Sequence, residues 1–315
     1  MTAPSIDPTT VKTGQRASWD AISPGWEDAM GVFERGAAAV TGRLLELAGV
    51  GPGHRVLDVA TGLGEPALSA ARAAGPTGRV VGADISPRML AAARRRAAAA
   101  PDAAALAPLE FVQADVESIG LPAGSFDAVL SRWGLMFACD HAAAFAGLRR
   151  LLAPGGVLAA AVWAPPPDVP MIGLGYRVLA GLLDLPAPPP GMPGPFSMSD
   201  PAALSAGLRR AGFAEVSVEE FAVPFRLDRA AEYADFNKAV SPPSLLDAVR
   251  DRFGSPDAPG VWDAVAAAVE PYADDGGGIE LTSTALCVRA VAGRDRAGQD
   301  GAVQRDGAQG SEGVR

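Results

Sequence analysis

Cysteine is scarce in this sequence, which has only Cys139 and Cys287 among its 315 residues. The two lie far apart, and neither is accompanied by the spaced cysteine or histidine partners that a zinc site uses. The sequence therefore predicts no structural zinc site and no other metal centre. Two unpaired thiols fit a reducing compartment, because disulfides persist mainly in oxidising ones.

Long apolar runs are also missing, although 49% of the residues are hydrophobic. No run approaches the ~20 residues that a membrane-spanning helix needs, so we expect no membrane insertion. Residues 1–7 lack the basic start and apolar core of a secretory signal, which makes the cytoplasm the expected location. With only 20% charged residues, the chain is too apolar to be disordered, and we expect a globular protein.

Basic residues are outnumbered, with 27 Lys and Arg against 36 Asp and Glu, and the net charge is −9. The resulting field repels phosphate backbones and anionic lipid surfaces, so we expect a small-molecule substrate and no nucleic-acid partner. The densest basic cluster, Arg94–Arg96, lies in an alanine-rich helical stretch. We interpret it as a solvated helix face.

Short apolar runs typical of strands alternate with alanine-rich helical stretches along the chain. This alternation builds βαβ units, so we predict a doubly wound α/β fold with a mostly parallel, seven-stranded sheet. The predicted strands cover residues 55–60, 79–83, 109–113, 126–130, 157–162, 215–221 and 285–290. Helices are predicted over residues 66–74, from 87 onward, and over 142–152, 171–185, 201–211, 230–240, 245–253 and 261–272.

The ends of the chain differ in composition from its middle. We predict a flexible N-terminus over residues 1–14, one domain over 15–292 and a disordered tail over 293–315. Within the domain, residues 15–165 would form a cofactor-binding core. A proline-rich passage and a group of helical stretches suggest substrate-covering helical insertions at residues 166–200 and 226–280, over the carboxyl edge of the sheet.

Candidate ligand-binding residues follow the first two strands, because an open parallel sheet binds its ligand beyond the carboxyl ends of the strands. Ala60, Thr61, Gly62 and Gly64 are small or turn-forming residues whose backbone can approach a ligand closely. Asp84 ends the second strand, where an acid is suited to accept hydrogen bonds from both hydroxyls of a ribose.

The loose spacing of the glycines would by itself also fit a dinucleotide-binding site. Further acidic residues favour a different ligand. Asp115 follows the third strand and can accept a hydrogen bond from the exocyclic amine of an adenine. Asp58, inside the first strand, could meet a cationic amino group, or it could simply brace the glycine loop. Ser131 follows the fourth strand. The set favours an amino-acid nucleoside without phosphates.

Five motifs in this order resemble the class I S-adenosylmethionine methyltransferases, especially the branch with the ubiquinone and menaquinone methyltransferases and many natural-product enzymes. The resemblance covers about residues 15–165 and implies a Rossmann-like methyltransferase fold with S-adenosyl-L-methionine as cofactor. The matching segments are Val56–Gly64, Gly82–Leu90, Ala114–Val116, Ser125–Asp127 and Leu151–Gly156.

The resemblance also implies roles for individual residues. The loop Ala60–Gly64 would pack against the methionine part of the cofactor, with Ala60 in place of the family's first glycine. Asp84 would hold the ribose, and Ile85 and Met89 would flank the adenine.

Other implied contacts lie further along the chain. Asp115 and Val116 would contact the far edge of the adenine, and Ser131 would lie near the sulfonium. The segment Trp19–Trp26 is similar to the family's covering helix, which closes over the cofactor.

His141 is the candidate catalytic residue. It follows the fourth strand on the expected ligand side and could act as a general base for a hydroxyl or an amine. The alternative is a residue at a helix start, with Asp140 as the N-cap. Trp133, Met136 and Trp163 also follow strand ends, and could belong either to the core or to the pocket lining.

The sequence thus predicts a methyltransferase that transfers a methyl group from S-adenosyl-L-methionine to an O, N or C nucleophile of a small, hydrophobic molecule. One alternative is an NAD(P)-dependent oxidoreductase, which the first-strand acid and Asp115 disfavour. Another is a cofactor-binding protein of the same fold with a non-methylating role.

Overall fold

The computed structural model describes residues 7–189 and 191–293, and most of the predicted C-terminal tail lies outside this range. The strands are β1 (Arg55–Val59), β2 (Arg79–Asp84), β3 (Leu109–Gln113), β4 (Phe126–Arg132), β5 (Leu152–Trp163), β6 (Phe213–Leu227) and β7 (Ile279–Ala292). The helices are α1 (Pro8–Ala48), α2 (Ala67–Ala74), α3 (Pro87–Ala98), α4 (His141–Leu151), α5 (Pro170–Leu182), α6 (Pro201–Arg210), α7 (Ala230–Val240), α8 (Pro243–Phe253) and α9 (Pro259–Ala267).

The seven strands form one sheet in the order β3-β2-β1-β4-β5-β7-β6. Strands β1 to β5 are parallel to one another, and β7 runs antiparallel to both β5 and β6. The chain winds outward from β1 to β3 and then returns to place β4 on the other side of β1. The predicted doubly wound, mostly parallel α/β fold is confirmed, and its switch point lies between β1 and β4.

The central strands are buried on both faces, which explains their nearly continuous apolar sequence. In β1, Val56 and Leu57 have no exposed surface, and Leu57 pairs with Val81 of β2 and Val129 of β4. Each predicted strand is present, and the last two are longer at both ends than the sequence indicates. Strands β6 and β7 pair with each other along most of their length, and this pairing extends them beyond their most apolar residues.

Helix α1 is much longer than the predicted covering helix, and it begins inside the segment predicted to be flexible. The carboxylate of Asp7 caps it by accepting hydrogen bonds from the amides of Thr9 and Thr10, at 3.1 and 3.2 Å. Pro24 lies inside the helix and would ordinarily interrupt it. Burial of Phe33 and Val40 at helical spacing holds the helix against the sheet.

Among the described residues, no helix is both long and apolar enough to cross a membrane.

The basic cluster on α3 is largely the solvated face that we expect from the sequence, since Arg94 and Arg95 are exposed and Arg96 is half-buried. Arg95 pairs with Glu27 of α1, and Arg94 donates a hydrogen bond to the carbonyl oxygen of Phe111 at 2.7 Å. Arg96 donates to the carbonyl oxygen of Leu63. The long side chains cross to neighbouring elements, which helical periodicity does not reveal.

The two predicted insertions pack against each other through Tyr233, which has no exposed surface. Its hydroxyl accepts a hydrogen bond from the Gly175 amide at 2.8 Å and lies 3.2 Å from the carbonyl oxygen of Met171. Helix α7 is thereby fixed to α5. These helices stand beside the carboxyl edge of the sheet, where they can cover a ligand.

Close packing at Gly25 gives a test of how α1 is held. A Cβ atom at Gly25 would lie 1.9 Å from the carbonyl oxygen of Ala239, at the end of α7, whereas a Cβ at Gly31 of the same helix would meet nothing within 4 Å. We expect Gly25→Ala to lower the free energy of unfolding by about 1–3 kcal/mol, because the backbones must separate. Gly31→Ala should raise it by up to about 1 kcal/mol.

Urea denaturation of both variants measures this difference. Equal effects of the two substitutions would show that α1 does not pack on α7 as described.

Candidate functional site

A cavity of about 810 Å³ opens at the carboxyl ends of the parallel strands, beside the switch point. Its walls come from the loops after β1 to β4, from α1 and from both insertions. An open α/β sheet binds its ligand at this position. The strand-end residues that line the cavity are Val59–Leu63, Glu65, Asp84, Ile85, Ala114–Glu117, Arg132–Gly134 and Trp163.

The loop after β1 presents its backbone to the cavity. Ala60 and Gly62 have φ values of +55° and +53°, in the left-handed region that favours glycine. A Cβ atom at Gly62 would meet nothing within 4 Å, so the space in front of this residue is open to a ligand. Thr61 donates its amide to the carbonyl oxygen of Ala83 at 3.0 Å and ties the loop to β2. A ligand in the cavity can therefore come close to the backbone of this loop without a steric clash.

Asp58 lies behind this loop and is fully buried. One of its carboxylate oxygens accepts hydrogen bonds from the Thr61 hydroxyl at 2.6 Å and from the Ala67 amide at 2.8 Å. Asp58 does not line the cavity. Burial raises the pKa of its carboxyl group to about 7. Of the two roles that the sequence leaves open, this geometry favours bracing of the loop over direct contact with a ligand.

Asp84 faces the cavity from the end of β2 while remaining mostly buried. Its two carboxylate oxygens accept hydrogen bonds from the amides of Gly62 and Ser86, each at 2.8 Å. Burial raises the pKa of this carboxyl group to about 6, and the hydrogen bonds oppose that rise. The second strand and the glycine loop are thus joined through a carboxylate at the cavity wall.

The residues expected around an adenine lie on the same wall. Ile85, Met89, Asp115 and Val116 all line the cavity. Asp115 forms an ion pair with Lys12 of α1 at 2.8 Å, and the same ammonium group lies 2.6 Å from Glu117. Sequence reasoning missed Lys12 because it falls in the segment predicted to be flexible.

Besides Asp58, three predicted site residues do not line the cavity. Gly64 has a φ of +97° and packs against Ala93, and Ser131 is buried with its hydroxyl donating to the carbonyl oxygen of Val59 at 2.9 Å. His141 is the first residue of α4, and burial lowers its pKa. Asp140 caps that helix through the Ala143 amide at 3.0 Å, so the helix-start alternative has direct structural support.

Helix α1 supplies a wall of the cavity that sequence reasoning identified only in part. Trp19, Ile22, Trp26, Met30 and Phe33 all line it. Their spacings of three and four residues are those of one helix face, a signal that the sequence does contain. Pro24 lies within this segment and argues against one continuous helix, so the spacing alone does not predict a single helix face.

A buried cation adjoins the glycine loop on the β4 side. The Arg132 side chain is only 6% exposed and donates hydrogen bonds to both oxygens of Glu34 and to the Thr41 hydroxyl. These partners belong to α1, so the ion pair joins that helix to the end of β4. Glu65 lines the cavity on the other side of the loop.

Lys12, Gln15 and Ser18 of α1 add polar groups near the acids that follow β3, whereas the opposite part of the cavity is mostly apolar, and we call that part the acceptor wall. Trp133 and Trp163 stack there with ring centroids 4.2 Å apart, so these residues serve both as core and as lining. No histidine, carboxylate or lysine belongs to the described residues of this wall. Its members are Trp26, Met30, Phe33, Trp133, Met136, Phe137, Trp163, Ile172, Tyr176, Leu185, Pro193–Pro195, Val240, Pro242, Ser244, Leu245 and Ala248.

The buried Asp58 carboxyl group gives a prediction about pH. Its pKa is about 7 in the folded chain, against an ordinary value of 3.8 for an exposed aspartate, so the folded state binds the proton more tightly than the unfolded state does. Stability is therefore expected to fall as pH rises from about 4 to about 7. Asp58→Asn removes this ionisation while keeping an oxygen for Thr61 and Ala67. Relative to the wild type, the variant should gain up to roughly 4 kcal/mol between pH 4 and pH 8.

Urea denaturation of both proteins at several pH values checks this expectation. The same measurement on Asp84→Asn gives the separate contribution of the second buried carboxyl group to the pH dependence of stability. The expectation would be contradicted if the difference in free energy of unfolding between the wild type and Asp58→Asn were the same at every pH.

Comparison with known proteins gives a match over the central part of the parallel sheet. Residues 57–160 match the family model described as a methyltransferase domain. A ubiquinone/menaquinone biosynthesis C-methyltransferase from Pseudomonas putida is 43% identical over 114 residues, covering 36% of this chain and 43% of that protein. A demethylmenaquinone methyltransferase from Thermus thermophilus is 43% identical over 124 residues, covering 39% and 53% respectively. The chain thus spans about half the length of these curated relatives.

Solved structures extend the likeness of fold beyond this core. The [4+2]-cyclase SpnF has a TM-score of 0.55 and 21% identity, with 91% of this chain and 97% of that one covered. A methyltransferase-like protein from Bacillus halodurans has a TM-score of 0.52 and 18% identity, with 80% and 98% covered. Residues 57–160 therefore carry a methyltransferase domain, and the sequence matches and the shared fold support a class I S-adenosylmethionine-dependent methyltransferase.

Proposed function

We propose that this protein transfers the methyl group of S-adenosyl-L-methionine to an oxygen, nitrogen or carbon nucleophile on a small, apolar acceptor. The observation that carries the proposal is Asp84, a buried carboxylate that faces the cavity and is hydrogen-bonded to the Gly62 amide. A carboxylate in this position suits the two hydroxyls of a ribose. Ile85 and Met89 adjoin it, where an adenine ring would lie.

The order of the groups along the sheet edge supports one orientation of the cofactor. The strand order places Asp115, Asp84, the glycine loop and Arg132 in that sequence, beyond β3, β2, β1 and β4. Neighbouring strands lie roughly 4.8 Å apart, so the series covers on the order of 14 Å. This arrangement suits an extended nucleoside, with the adenine toward Asp115 and the methionine part at the loop.

The charges beside the loop suit an amino-acid group. Glu65 lines the cavity next to the loop and can accept hydrogen bonds from an ammonium group. Arg132 lines it on the β4 side, and its guanidinium has five N–H donors with which to reach a carboxylate as well as Glu34. The open space in front of Gly62 lets the methionine part approach the backbone between these charges.

Positioning and desolvation are the main contributions that we assign to the protein. Bound S-adenosyl-L-methionine supplies a methyl group already activated on a sulfonium. The acceptor wall is mostly apolar and carries no imidazole or carboxylate among its described residues. Effective molarities on the order of 10⁵–10⁸ M show that orientation alone can account for much of such a rate. The net charge of −9 supports a small acceptor over nucleic acid, and a cytoplasmic location remains part of this proposal.

The alternatives differ in what the cofactor does. An NAD(P)-dependent oxidoreductase has no support among the relatives. SpnF, which shares the fold, is described as a [4+2]-cyclase, so a non-methylating reaction is the second candidate. A screen with a labelled methyl group over aromatic, quinone and polyketide-like acceptors separates the two, because only a methyltransferase transfers the label.

Cofactor binding is tested by Asp84→Asn. The variant loses the charged acceptor for the ribose hydroxyls, so S-adenosylhomocysteine should bind about 1.5–3 kcal/mol more weakly in isothermal titration calorimetry. The matched control is Asp127→Asn. Asp127 lies near the amino end of β4 and pairs with Arg55, outside the cavity lining. Equal affinity of the wild type and Asp84→Asn would remove Asp84 from the cofactor site.

The role of His141 is tested by turnover of the acceptor that the screen identifies. If His141 were a general base, His141→Ala would lower turnover roughly 10²–10⁴-fold. The wild type would lose activity at a pH below the ordinary histidine pKa, because burial lowers the pKa of His141, and the variant would lack this pH dependence. Because His141 does not line the cavity, we expect near-normal turnover and an unchanged pH profile. A large loss of turnover with intact cofactor affinity would restore His141 as the base.

A further inference from the structure

The first turns of α1, residues 8–18, contain no buried residue, and we call this segment the tip. The first buried side chain of the helix is that of Ile22. Many residues of the tip also have a low helix propensity, because β-branched residues, glycine and serine are less favourable in a helix than alanine. These are Thr9, Thr10, Val11, Thr13, Gly14 and Ser18. The tip is therefore the part of α1 that unfolds most readily.

One side chain, that of Lys12, joins the tip to the rest of the protein through polar contacts. Its ammonium group lies 2.8 Å from a carboxylate oxygen of Asp115 and 2.6 Å from one of Glu117. The other side-chain hydrogen bonds of residues 8–18 stay within the start of the helix. Glu117 is itself fixed, because its second oxygen accepts hydrogen bonds from the amides of Cys139 and Asp140 at 2.7 and 3.2 Å. Lys12 thus ties the tip to the loops that follow β3 and β4.

The tip lies over the end of the cavity where the proposed function puts the adenine. Lys12, Gln15 and Ser18 follow one another at intervals of three residues and all line the cavity, as does Asp115. The middle of α1 is held separately by its buried ion pair with the end of β4. Unfolding of the tip alone would therefore uncover the adenine end of the site while the remainder of the helix stays in place.

We propose that the tip opens by local unfolding and that the contacts of Lys12 with Asp115 and Glu117 form a latch, which sets the rate at which S-adenosylhomocysteine leaves. The inference rests on the proposed function, because it concerns release of the product of the same cofactor. Lys12 then acts as a positioning residue that keeps the tip closed. Its side chain is 25% exposed, so dissolved salt screens the latch and release should become faster as ionic strength rises.

A competing explanation is that Lys12 binds the ligand directly from a rigid helix, since it also lines the cavity. Gly14 separates the two explanations. It is exposed and lies outside the cavity lining, and a Cβ atom there would meet nothing within 4 Å. Gly14→Ala therefore strengthens the helix without touching a ligand. The substitution slows release only if the tip has to unfold.

Release is measured as the dissociation rate of S-adenosylhomocysteine from the full chain, by surface plasmon resonance at low and at high sodium chloride. Lys12→Met should release the ligand roughly tenfold faster and lose most of the salt dependence, because its charged hydrogen bonds are gone. Gly14→Ala should release it about 2–5-fold more slowly. The matched control is Gly31→Ala, which has equally open surroundings on the same helix beyond the tip and should keep the wild-type rate.

Amide hydrogen exchange follows the tip without relying on the cofactor. In the chain without ligand, residues 8–18 should exchange faster in Lys12→Met and more slowly in Gly14→Ala, while the middle of α1 stays unchanged. Glu117→Gln keeps an oxygen for the two amides that it binds. It should accelerate exchange of the tip in the wild type but add little in the Lys12→Met background, because the charge that it paired with is already absent.

The outcomes separate the inference from the proposed function. An unchanged release rate in Gly14→Ala or in Lys12→Met, a salt response of Lys12→Met equal to that of the wild type, or a tip that exchanges as slowly as the middle of α1 would overturn the inference. Failure of S-adenosylhomocysteine to bind would instead overturn the proposed function, and the exchange measurements would still test the latch.

Discussion

Inside the sheet, the carboxyl group of Asp58 accepts hydrogen bonds from the Thr61 hydroxyl and the Ala67 amide, and these two bonds close the turn between β1 and α2. The closed turn places the Gly62 amide 2.8 Å from Asp84, so the first and second strand ends meet at one point of the cavity wall. The arrangement has a cost, since burial raises the pKa of both carboxyl groups. The site therefore depends on two acids that are unfavourable to bury in the ionised form but that order the backbone around it.

Helix α1 contributes charged groups to one part of the cavity and apolar groups to another. Its first turns bring Lys12 to the acids that follow β3, and its middle brings Trp26 and Phe33 to the acceptor wall. Glu34 then joins the helix to Arg132 at the end of β4. Removing one member of a buried ion pair typically costs about 3–5 kcal/mol, so this contact holds the helix as a fixed wall.

This division accounts for the kind of catalysis that the site supports. Charged groups gather near the glycine loop, where a nucleoside with an amino-acid arm needs them, and the acceptor side is left with rings and aliphatic groups. The insertions complete the wall because Tyr233 fixes α7 to α5 and keeps their residues at the edge of the sheet.

The sequence by itself determined the fold class, the order of the strands along the chain and the residues at the strand ends, because burial on both faces and close backbone approach leave local signatures. Thr61, Gly62, Asp84 and Asp115 line the cavity at the ends of β1, β2 and β3. Tertiary structure decided the rest. Packing keeps α1 continuous through Pro24 and brings Lys12 to the site, and it leaves His141 outside the cavity lining. These outcomes depend on contacts between segments that are distant in the sequence, and such contacts leave no repeating pattern that could be read from the sequence.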